Sequence, residues 1–168
     1  LVTDSLPALA LSVDPAEKDI MTRKPRKTQE GFFTKGMTWR VAYQGITIGL
    51  ISLAAYLLGY HDGGQTLGQT MAFAVLAFAQ LFHVRNLHSI RKSSFRTNIF
   101  KNMALIGAIV VSAAMMLAVL LFPPFMKAFK LTTMDSVHWI YVLGLSLVPI
   151  VIVELFKLFK INSFKDEF

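Results

Sequence analysis

Apolar residues gather into four long runs, Val41 to Tyr60, Leu67 to Val84, Met103 to Phe122 and Val137 to Phe159, with polar connections between them. A bilayer's hydrocarbon core takes about 20 helical residues to cross, and each run has that length or nearly so. The second is the shortest, and Gln80 and His83 interrupt it near its end. None alternates with period two, and strands in lipid would leave backbone groups unpaired unless they closed a barrel. The pattern therefore predicts an all-α membrane protein with four transmembrane helices. One more apolar piece, "LVTDSLPALALSV" at residues 1–13, is too short to span. Because it leads into a basic linker, it reads as the cytoplasmic half of a further helix, and the start of the chain reads as internal.

Charge gives these helices a direction. Lys18, Arg23, Lys24, Arg26, Lys27 and Lys35 precede the first run, whereas "HDGGQTLGQ" after it has no Lys or Arg. Arg85, Arg91, Lys92, Arg96 and Lys101 crowd the connection between the second and third runs. "PPFMKAFKLTTMDS" holds only Lys127 and Lys130, and the tail has Lys157, Lys160 and Lys165. By the positive-inside rule the N-terminal linker, the second connection and the C-terminus are cytoplasmic. Residues 14–40 are then a cytoplasmic loop, 41–159 a four-helix membrane domain and 160–168 a cytoplasmic tail.

Composition narrows the chemistry. The chain is 54 % hydrophobic and 16 % charged, with 14 Phe and 8 Met, far more apolar than a soluble domain. It has no Cys, which excludes disulfides and thiolate metal sites and leaves oxygen and imidazole as ligands. The net charge of +7 lies between apolar runs and not along an arm with interleaved aromatics, so it marks membrane orientation and not nucleic-acid binding. The N-terminus has no basic region ahead of its apolar stretch and does not resemble a signal peptide.

Asp4 is the outstanding polar residue. A carboxylate at membrane depth costs roughly 2.5 to 3.5 kcal/mol on insertion scales and usually lines a cavity or an ion path. Thr3 and Asp4 both offer oxygens of the kind hard cations bind, and Pro7 removes a backbone donor and can free a carbonyl. The competing reading has Asp4 capping a helix that begins at Ser5. Gly45 and Gly49 form a GxxxG in the first run, a spacing that admits close approach of another backbone. Glu154, near the end of the last run, has Lys157 on the same face and reads as a snorkelling residue or local ion pair. His61, His83, His88 and His138 show no paired-ligand spacing and read as interfacial, while the Met and Phe residues, Trp39 and Trp139 read as packing and aromatic belt.

"LVTDSLPALALSVDPAEKDIMTRKPR" resembles the end of the sixth transmembrane helix and the following loop of P-type cation-transporting ATPases of the calcium-pump branch. Leu1, Val2, Thr3, Asp4, Leu6, Pro7 and Ala8, then Asp19, Ile20, Met21, Arg23, Pro25 and Arg26, match that pattern without a gap. Ser5 stands where a Gly is common. The resemblance extends over essentially the whole chain as the C-terminal cation-ATPase domain, family helices 7 to 10 after the C-terminal half of helix 6. It implies that Asp4 coordinates transported calcium and that Thr3 is a neighbouring ligand. An aspartate suits that task because it is anionic when calcium arrives and can take a proton for counter-transport. Gln80 falls where muscle-type two-site pumps have a Glu. An amide lends an oxygen but no charge, which points to one calcium per cycle; a Gln that hydrogen-bonds between helices is the alternative. Gly45 and Gly49 match glycines of the family's seventh helix that pack against its long fifth helix. Glu17 and Asp19 match acidic positions of the loop that couples the membrane sites to phosphorylation, with Thr22 at a third; a solvated cluster with Lys18 and Arg23 is the plainer account.

The resemblance implies a multi-pass cell-membrane pump, bacterial-like in its short outer loops, that exports Ca2+ using ATP and Mg2+. The chain has no "DKTGT" phosphorylation motif, no nucleotide site and no catalytic residue of its own, so its partners would be the lipid bilayer and the remaining helices and cytoplasmic domains of the same pump. The alternatives are a P-type ATPase for Mn2+, Na+ or K+/H+, or a stand-alone membrane scaffold or regulatory subunit.

Overall fold

The computed structural model describes residues 2–13, 35–87 and 103–158, and all regular structure among them is helical. The helices are α1 (Val2–Ser12), α2 (Lys35–Leu87), α3 (Met103–Leu121), α4 (Pro123–Ala128) and α5 (Ser136–Leu158). Three of them, α2, α3 and α5, are long and apolar enough to cross a membrane.

α2 holds 53 residues and takes in the first two apolar runs. Its apolar stretch of 42 residues would extend to about 63 Å as a straight rod, roughly twice the hydrocarbon thickness. The rod is broken at Gly63 (φ −148°, ψ 17°) and Gly64 (φ 77°, ψ −168°), and the positive φ of Gly64 is one that a residue without a Cβ adopts at little cost. The chain reverses there. A Cβ built on Gly59 would lie 2.9 Å from the Cα of Gly68, and one on Gly68 would lie 2.6 Å from the carbonyl oxygen of Tyr56. Residues nine apart in a continuous helix would be separated by about 13 Å. α2 is therefore an antiparallel hairpin with a first arm at 35–62 and a second at 65–87. Val41 to Tyr60 and Leu67 to Val84 fall on separate arms.

The second arm lies at the centre of the molecule. Met71, Ala74, Val75 and Ala79 are completely buried, and Ile51 and Ala55 of the first arm, Met116 and Leu120 of α3 and Val142 of α5 pack into the same core. Phe78 meets Trp139 edge-on, with ring centroids 6.3 Å apart, a favoured aromatic geometry. A smaller cluster joins Ala10 of α1 to Val84 and Leu105, so α1 docks where the second arm ends and α3 begins.

α2 starts at Lys35, ahead of the first apolar run, and the connection after α3 is not all loop. Phe122 precedes α4, whose first two residues are Pro123 and Pro124. Proline suits those positions because its φ is preset for helix and its missing donor would be unpaired there. Beyond α4, the Thr132 N–H donates to Thr70 Oγ1 at 3.1 Å, and His138 Nε2 stands 3.5 Å from Asp62 Oδ2. The hairpin turn and the α4 connection thus share one end of the bundle. These are the two connections with few or no basic residues.

Candidate ion-binding site

α1 carries the candidate ligands. It begins at Val2, so Asp4 lies within its first turn and does not cap a helix starting at Ser5. Pro7 is inside the helix and has no N–H to give to the residue four before it, so the carbonyl of Thr3 lacks its helical donor. Pro7 and Ala10 are buried, while Ser5, Ala8, Leu9 and Ser12 are exposed. At about 100° per residue, Thr3 takes a register position in the middle of the packed face and Asp4 one at its edge. The side chains of Thr3 and Asp4 lie outside what the structure describes.

Gln80 sits on the second arm between the buried Ala79 and Leu81. It is half-buried and forms no hydrogen bond among the described residues. Gly45 and Gly49 share an exposed face of the first arm, and a Cβ on either would meet nothing within 4 Å. The close glycine contact within this chain is instead Gly59 on Gly68, where the added Cβ of Gly59 would also come within 2.8 Å of Met71 Sδ. A search for GxxxG misses that pair because its members lie on opposite arms; the Gly63–Gly64 turn between them is the signal that brings them together. Glu17 and Asp19, with Lys18, Thr22 and Arg23, lie outside the described residues, as do residues 160–168. Glu154 is buried at 7 % exposure, and no more is described of Lys157 than its helical backbone.

Other polar groups in the interior serve the packing. Thr70 Oγ1 donates to the Thr66 carbonyl at 2.8 Å while accepting from Thr132, and Ser146 Oγ donates to the Val142 carbonyl at 2.7 Å. At the turn end, His61 Nδ1 is 3.2 Å from Asp62 Oδ1, so two of the histidines meet one carboxylate. No spacing along the chain announces the approach of His138 to this aspartate, since the contact depends on how α5 enters the bundle. No group of three or more His, Asp or Glu side chains arranged to hold a metal occurs among the described residues.

An all-helical domain with three helices long and apolar enough to cross a membrane defines the class, a helical membrane domain. Comparison makes the class specific. The family described as "Cation transporting ATPase, C-terminus" matches residues 1–159, and the chain belongs to that family, the C-terminal domain of P-type cation pumps. A calcium-transporting ATPase of Bacillus subtilis is 41 % identical over 151 residues, covering 89 % of this chain and 17 % of that protein. Calcium-transporting ATPase 1 of Bacillus cereus is 36 % identical, covering 96 % of this chain and 20 % of its own length. The human calcium-transporting ATPase type 2C member 1 is 26 % identical over 94 % of this chain and 17 % of itself. The chain spans about a fifth or less of the length of these relatives.

Proposed function

We propose that this chain is the C-terminal membrane domain of a P-type ATPase that exports calcium, contributing one carboxylate to the transport site and a scaffold of helices to the pump. The observation that carries this reading is the family match from residue 1, which takes in α1 with Asp4, together with relatives named calcium-transporting ATPases. In this reading the two arms of α2, α3 and α5 each cross the bilayer, and α1 is the inner half of a fifth crossing. Residues 14–40 form a cytoplasmic coupling loop with Glu17 and Asp19, residues 41–159 the membrane domain and residues 160–168 a cytoplasmic tail. ATP and Mg2+ act on other domains of the same pump.

Calcium takes six to eight oxygen ligands, more than this chain offers at one place. Asp4 gives the carboxylate, and Thr3 adds its hydroxyl and the carbonyl released by Pro7. Gln80 adds one neutral oxygen. The charge-derived topology has α1 and the second arm running in the same direction, both ending at the Ala10–Val84 contact. At 1.5 Å per residue, Asp4 then lies about 9 Å and Gln80 about 6 Å back from that contact, at nearly one depth. The remaining ligands belong to helices of the rest of the pump, which would close over the exposed side of α1, with one of them packed on Gly45 and Gly49. With a single negative charge from this chain, one calcium per cycle is the stoichiometry expected.

Phosphoenzyme formation in the full-length pump tests the reading. Calcium should stimulate it, with one bound calcium per phosphorylation site. Stimulation by sodium or potassium in place of calcium would overturn the ion assignment, and a count of two would overturn the role given to Gln80.

A further inference from the structure

We infer that α4 and its flanks form a docking surface for anionic lipid headgroups at the end of the bundle that carries the α2 turn. The inference rests on the membrane embedding proposed above. α3 has 19 residues, about 28 Å of helix, so it crosses one hydrocarbon thickness and delivers Phe122 to the border. There the chain turns through Pro123 and Pro124, and α4 follows. Phe122, Phe125 and Phe129 are 59 %, 48 % and 55 % exposed, and the rings of Phe122 and Phe125 lie 6.2 Å apart. Their spacing of three and four residues sets them along one side. Lys127 falls roughly opposite the phenylalanines on the helix, Lys130 lies in the turn that ends α4, and both are exposed. Neither lysine forms an ion pair among the described residues. Aromatic bulk on one side and unpaired cationic heads on the other is the arrangement of a segment lying in the interface, its rings among acyl chains and its ammonium groups at phosphate level.

The surface is held in place by the bundle. Met126 is buried on the inner side of α4, and the Leu131 N–H donates to its carbonyl at 2.8 Å. Phe129 stacks on Phe73 of the second arm at 6.2 Å, and Thr132 is tied to Thr70. A pre-positioned pair of charges loses little freedom on meeting a headgroup. Charge selects the occupant: Lys127 and Lys130 form no ion pair among the described residues, and Asp62 at the same end stands against His61 and His138, so the two ammonium groups favour a phosphate-bearing, net-negative lipid over a zwitterionic one.

The test uses the full-length pump in nanodiscs of phosphatidylcholine doped with either photoactivatable phosphatidylglycerol or its photoactivatable phosphatidylcholine counterpart, with cross-links mapped to peptides. Phosphatidylglycerol should label residues 122–130 preferentially. Lys127→Gln or Lys130→Gln should each lower that preference about fivefold and the double variant about 30-fold, as expected for independent near-surface lysines. Lys127→Arg with Lys130→Arg should retain it, and free glycerol phosphate should not compete. Equal labelling by the two lipids, or a preference that survives the double Gln variant, would overturn the docking surface. Labelling absent from α3 as well would instead overturn the membrane embedding on which it rests.

Discussion

The two arms of α2 belong to one helical hairpin and are both apolar, yet the second is mostly core while the first buries only one side, through Ile51 and Ala55, and leaves the other exposed. On the second arm Met71, Ala74, Val75 and Ala79 are fully buried; on the first, Ile46, Leu50, Leu53 and Leu57 are each more than half exposed. Side-chain size explains part of the difference. The second arm interleaves Ala72, Ala74, Ala77 and Ala79 with Met71, Val75 and Phe78, so α5 can approach closely and still find large groups to interlock with. The first arm sets its large residues in a stripe at spacings of four, three and four, beside the open faces of Gly45 and Gly49. That is the form of a helical seam. Hydropathy reports that a residue avoids water; it does not report whether the residue meets its own chain, lipid or another helix.

Substitutions on the two arms of the intact pump can break or sharpen this contrast. The largest effect is expected from Met71→Ala, which removes a fully buried side chain and should cost about 2 to 5 kcal/mol in denaturant unfolding. Leu53→Ala, on a side chain 53 % exposed, should cost less than about 0.5 kcal/mol. Equal losses would mean that the first arm is covered as fully as the second. Next comes Gly68→Ala, whose new Cβ would meet the Tyr56 carbonyl oxygen at 2.6 Å and should cost about 1 to 3 kcal/mol by forcing the arms apart. Gly49→Ala has no steric obstacle within this chain. A thermal-shift assay in which it proves as damaging as Gly68→Ala would locate another helix on that face, and a neutral result would leave the face to lipid. Among the buried positions the smallest loss is expected from Thr70→Val, which strips the Thr132 N–H of its acceptor and should cost about 1 to 2 kcal/mol. Hydrogen exchange should then quicken at Thr132 and not along the first arm.

Much of the architecture was legible in the sequence because a bilayer restricts a chain so severely. Long apolar runs have to be helical, and the boundaries of α3 and α5 follow from where the polar residues resume. The hairpin inside α2 could be read as a polar, Gly-containing break, but the tight Gly59–Gly68 crossing could not, since it depends on how two arms meet. α4 was hidden because its two prolines and Lys127 look like loop, although proline at the head of a helix is favourable. The candidate site was legible in a different way. Asp4 stands out through the cost of a carboxylate in an apolar setting and through the motif around it, whereas Glu17 and Asp19 stand in a polar loop where charge is ordinary and only resemblance singles them out. The meeting of His61, Asp62 and His138 required two distant segments to be brought to one end, which no local pattern announces.

Asp4 remains the residue on which the functional account turns. Equilibrium binding of radioactive calcium to the full-length pump, comparing the parent with Asp4→Asn, tests its role most directly. Asparagine keeps the size and one oxygen but removes the charge, so the account predicts that high-affinity calcium binding is lost while the variant still folds and can be phosphorylated in reverse by inorganic phosphate. Calcium binding of unchanged affinity and stoichiometry in Asp4→Asn would contradict it.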